Sequence, residues 1–104
     1  MKNLPDIKLA IAYIEYLTEG TAVIAGKKPI THNDCEIEFE VINLGMTFIS
    51  GVNSFIRSIT RTIGVTYTPH HTPLKNSFIW NYGDKKVVLS FTPLTMKTTI
   101  SLIQ

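Results

Sequence analysis

Cysteine is almost absent from this chain, with Cys35 alone among 104 residues. A lone thiol forbids an internal disulfide and a cysteine-rich zinc site, and it fits a reducing, cytoplasmic setting. Long apolar runs are missing too. No stretch approaches the ~18 consecutive apolar residues a membrane span requires, so no membrane partner is expected. The opening segment MKNLPDIKLAIAYIEYL is interrupted by Asp6, Lys8 and Glu15 and lacks a small-residue cleavage pattern, which argues against a signal peptide. The phosphate-cradling patterns GxGxxG and GxxxxGK[ST] do not occur, nor does a GxSxG nucleophile elbow. There is no internal repeat and no low-complexity tract, and no motif requires a cofactor or a metal.

Charge is sparse as well, at 17% of residues, against about 25% in an average globular protein. So bare a surface hints that part of it is covered by a partner. The apolar share of 44% excludes disorder, and a chain of this length buries roughly 60–65% of its unfolded surface, enough for one core without staples. The expectation is a single small domain over residues 1–104. Its charges are unevenly distributed. Residues 1–45 carry Lys2, Lys8, Lys27 and Lys28 against seven carboxylates, whereas residues 46–104 carry Arg57, Arg61, Lys75, Lys85, Lys86 and Lys97 against Asp84 alone. Such halves form opposite faces of one molecule or a head-to-tail contact, unless the fold interleaves them.

What is present reads as mixed helix and strand. Pro5 and Asp6 suit a helix start, after which Ile7, Ala10, Ile11, Ile14 and Leu17 repeat at helical spacing until Glu19-Gly20. Residues 21–25 form a short strand or the helix tail, with a turn at 26–29. In 36–41, Glu36, Glu38 and Glu40 alternate with Ile37, Phe39 and Val41, which predicts a strand with one wet and one packed face. In 46–64, Phe48, Val52, Phe55, Ile56, Ile59 and Ile63 make a helical stripe. Ser50, Asn53, Ser54, Arg57, Ser58 and Arg61 lie opposite it, and Gly64 closes the segment. Gly51 and the β-branched residues weaken that helix, so it is predicted for 51–63, with 46–50 either helix or strand. A short strand at 65–68, a proline-bounded loop at 69–77, a hairpin of 78–82 and 86–91 about Gly83-Asp84-Lys85, and a last strand at 98–103 complete the order. The predicted fold is α+β: a mainly antiparallel sheet of four to six short strands, with two amphipathic helices on one face.

Four groups of residues are candidates for function. Glu36, Glu38 and Glu40 share a strand face with neighbours ~6.5 Å apart, and they offer a charged protein-binding surface or merely a solvated one. Phe78, Trp80 and Tyr82 share another face. They are the residue types of interface centres, and equally of a core. Arg57, Arg61, Lys75, Lys85 and Lys86 are the only route to nucleic acid, with Tyr67, Trp80 and Tyr82 available for stacking. His32, Cys35, His70 and His71 could make a metal or thiol site only if two loops meet, and neighbouring histidines on extended backbone point apart. With no convergence of catalytic types, the sequence favours binding over catalysis. The expected function is a protein-binding, accessory or inhibitory module, with another protein or its own copy as partner and an edge among the last three strands open to pairing. The alternatives are a weak nucleic-acid binder and a small metal- or thiol-dependent enzyme.

Overall fold

A computed structural model describes residues 6–104, so Pro5 lies outside the described residues. The elements run α1 (Ile7–Leu17), β1 (Ala22–Ile24), β2 (Thr31–His32), β3 (Glu36–Asn43), α2 (Phe48–Ile63), β4 (Thr68–His71), β5 (Asn76–Tyr82), β6 (Lys85–Thr92) and β7 (Lys97–Ile103). The class is α+β. Its sheet has seven strands in the order β1-β3-β7-β6-β5-β4, all antiparallel, with β2 sharing the outer side of β3. The strand beyond the expected six is β2, two residues too short to leave a period-2 signature.

Each helix is fixed by local chemistry. Asp6 caps α1, its Oδ1 accepting the Leu9 amide at 2.8 Å, so the acidic residue is the cap and not part of the first turn. Thr47 caps α2 in the same way through the Ser50 amide, which resolves residues 46–50: the helix begins at Phe48. Gly64 ends it in the left-handed region. Gly51 does not break α2, because its missing side chain is what lets the helix settle on β3. A Cβ there would stand 3.0 Å from the Asn43 Cβ.

Both helices cover one face of the sheet. Ala10, Ile14 and Leu17 of α1 and Val52, Phe55 and Ile59 of α2 meet Ile37, Phe39, Val41, Trp80, Val87, Leu89, Ile100 and Leu102 in one continuous core. The inward alternation on β3 and β7 is the one predicted. Ser58 departs from the predicted polar stripe, since it is buried.

Two segments differ from the sequence reading. Residues 69–77 are not a loop: Pro69–His71 belong to β4, and Asn76 and Ser77 to β5, leaving only 72–75 as the turn. Proline is tolerated because β4 is an edge strand, where a missing N–H need not interrupt a ladder. The predicted strand at 65–68 accordingly starts only at Thr68. The last three strands are interior, each flanked on both sides, so the edges available for pairing are β4 and the β1/β2 side. The chain halves do not interleave across the sheet: β1, β2 and β3 form one side and β4 to β7 the other, but their charges meet where Arg61 pairs with Glu19 and where Glu38 and Lys75 line one hollow.

Candidate functional site

The structure distributes the candidate residues widely. Trp80 is 0% exposed in the core, its Nε1 donating to the Thr60 Oγ1 at 3.0 Å. Tyr67 packs on both Trp80 and Phe78. The Phe78–Trp80–Tyr82 row thus lies under the helices, with Phe78 and Tyr82 half-buried. As placed, Trp80 offers no surface to a partner or to a stacking base.

Glu36, Glu38 and Glu40 stand on the uncovered face of β3, half-buried. Glu38 is held there by hydroxyls: Ser101 Oγ donates to one carboxylate oxygen at 3.2 Å and Thr31 Oγ1 approaches the other at 3.4 Å. The floor beside it is small and polar, with Ser77 and Ser90 hydrogen-bonded to each other at 2.9 Å. His70 and Lys75 line the far wall of the same shallow hollow.

The basic residues do not gather. Arg61 is engaged by Glu19 through two hydrogen bonds of 2.8 and 2.9 Å, which raise its pKa further. Lys75 and Lys85 sit beyond opposite ends of the seven-residue β5, roughly 20 Å apart at ~3.4 Å per residue. Nor do the histidines of the two segments meet. His32 lies on β2 and His70 and His71 on β4, five strand steps away, or roughly 24 Å along the sheet. His71 packs edge-on against Phe78 while His70 faces the hollow, the opposed orientation expected of neighbours on a strand. Among the described residues no three His, Cys, Asp or Glu side chains are placed to hold a metal ion.

Sequence reasoning missed the most exposed apolar surface. At one end of the sheet, β3 runs into α2 through residues 44–46, β6 turns into β7 through 93–96, and β4 turns into β5 through 72–75. Each connection presents leucine or methionine to solvent. Ile42, Leu44, Met46, Ile49, Leu74, Leu94 and Met96 are between 44% and 87% exposed. Ile42, Met46 and Met96 border a hollow of about 230 Å³ that reaches Phe48, Val52 and Phe55 at its base, with Glu40 on its wall. Lys75 and Lys97 are exposed at the same end. A signal did exist: Leu44, Met46, Leu94 and Met96 sit beside Gly45 and Pro93, in turns where polar residues are the rule.

Thioether and other apolar side chains around a shallow hollow give an adaptable surface, suited to receiving another apolar surface. Among the described residues no helix is long and apolar enough to cross a membrane. Comparison of the chain with protein-family models, with curated proteins and with solved structures finds no match.

Proposed function

We propose that this chain is a small protein-binding module, acting as an accessory or inhibitory subunit in the cytoplasm, and that its partner docks on the apolar end of the sheet. One observation carries the reading: two separate connections place Met46 and Met96 beside a single apolar hollow, at the end of the sheet where Leu44, Leu74 and Leu94 are also exposed. Exposed apolar groups scattered singly need no explanation, whereas a gathered patch marks an interaction site. The partner presents an apolar side chain to the hollow between Met46 and Met96. Glu40 on the wall of the hollow supplies an acidic flank that selects a basic neighbour beside it. The lone cysteine and the sparse charge of the sequence support the same setting.

The test is affinity capture from native extract, with and without nuclease treatment, using wild-type protein, Leu94→Lys and a control, Arg57→Ala, on the exposed side of α2. A partner retained by wild type and the control but lost with Leu94→Lys supports the reading. Retention by all three, or capture that nuclease abolishes, contradicts it, and the second result favours nucleic acid. Sedimentation of the purified protein identifies the case in which the partner is a second copy. Wild-type pelleting with neutral lipid vesicles, abolished by Leu94→Lys, would assign the patch to a membrane surface and overturn the proposal.

A further inference from the structure

The opposite end of the molecule holds a hollow of different chemistry. It measures about 270 Å³ and lies between α1, the β5–β6 hairpin and the end of β7. Leu9, Leu102 and Ile103 give it apolar walls; Tyr13, Tyr82, Lys85, Lys86 and Gln104 supply its polar groups. The two phenols are hydrogen-bonded to each other at 2.7 Å. Such a pair owns two O–H hydrogens and the mutual bond uses one, which leaves the second to donate to water or to a ligand. Burial, and then the hydrogen bond with Tyr13, raise the Tyr82 pKa above its ordinary value, so this phenol stays neutral and does not repel an anion. Lys85 and Lys86, exposed and consecutive on β6, both border the hollow, with their side chains on opposite faces of the strand.

We infer that this hollow binds a small amphipathic carboxylate, its apolar body against Leu9, Leu102 and Ile103 and its carboxylate on the unspent phenolic O–H and a lysine. Every other class leaves one of these groups unused. A cation meets like charge, a neutral lipid leaves the ammonium groups unanswered, and a bare phosphate leaves the apolar walls wet. At the lower limit of ligand-site volumes, the hollow takes a fragment of about ten heavy atoms and not a drug-sized molecule.

Isotope-labelled protein titrated with sodium octanoate, 1-octanol and octylammonium chloride tests the assignment. Octanoate is expected to give saturable amide shifts at Tyr82, Lys85, Leu102 and Ile103, with an affinity about tenfold or more above that for the other two. The double substitution Lys85→Gln with Lys86→Gln, on exposed side chains that do not build the core, should reduce octanoate affinity about tenfold and leave octanol unchanged. Tyr13→Phe, which keeps the ring, should weaken octanoate several-fold. Absence of saturable shifts, equal affinity for the three probes, or octanoate binding unmoved by the lysine substitutions would overturn it.

Discussion

At one end of the sheet the connections carry Leu44, Met46, Leu74, Leu94 and Met96 outward. At the other, the β5–β6 turn is Gly83-Asp84 followed by Lys85 and Lys86, and the approach to β3 is Asn33-Asp34-Cys35, all exposed. Both ends solve the same backbone problem. Gly45 and Gly83 supply the left-handed residue a tight connection needs, and Asn33 Oδ1 accepts the amides of Cys35 and Glu36. Turning the chain demands nothing more. The leucines and methionines of the first end are therefore not required by folding, and water disfavours them. Met96 sharpens the contrast, because it holds a φ of 57° where glycine would be unstrained.

Substitutions separate what the two ends share from what they do not. The largest effect should come from the common core: Trp80→Ala removes the largest fully buried side chain and should cost about 3–5 kcal/mol in urea unfolding, loosening both ends together. Gly51→Leu should cost about 1–3 kcal/mol, since even a Cβ meets Asn43 at 3.0 Å. Hydrogen exchange should show that loosening concentrated at the apolar end, where α2 leaves β3. Met96→Gly should do the reverse of a core change. It relieves the positive φ and stabilises the fold by about 1 kcal/mol, while capture of the partner weakens.

The smallest effect belongs to the polar end. Tyr82 has its folded-state pKa raised above 10.0, so its contribution to stability is complete below about pH 10 and is lost as pH rises through the folded value. Stability measured from pH 8 upward should fall less steeply in Tyr82→Phe than in wild type.

The fold was largely legible. Alternation in Glu36–Val41, the helical stripe from Phe48 to Ile63 and Gly83-Asp84 between two apolar runs are local periodic signals, and each became the element it indicated. Failures came where the deciding fact was tertiary. Pro69 reads as a breaker until β4 is known to be an edge strand. Gly51 reads as a weak point until Asn43 is seen against it, and Arg61 reads as a free cation until Glu19 is found beside it. The apolar end was hidden for a similar reason. Leu44, Leu74 and Leu94 are far apart in sequence, and only the order of the strands brings their turns to one end.

Photo-cross-linking tests the difference between the ends most directly. A benzophenone side chain is placed at position 94 in one preparation and at position 85 in another, and each is irradiated in nuclease-treated native extract. The predicted result is one protein adduct of defined mass from position 94 and none of that mass from position 85. The same adduct from both positions, or none from position 94, would contradict the assignment of the apolar end as the docking surface.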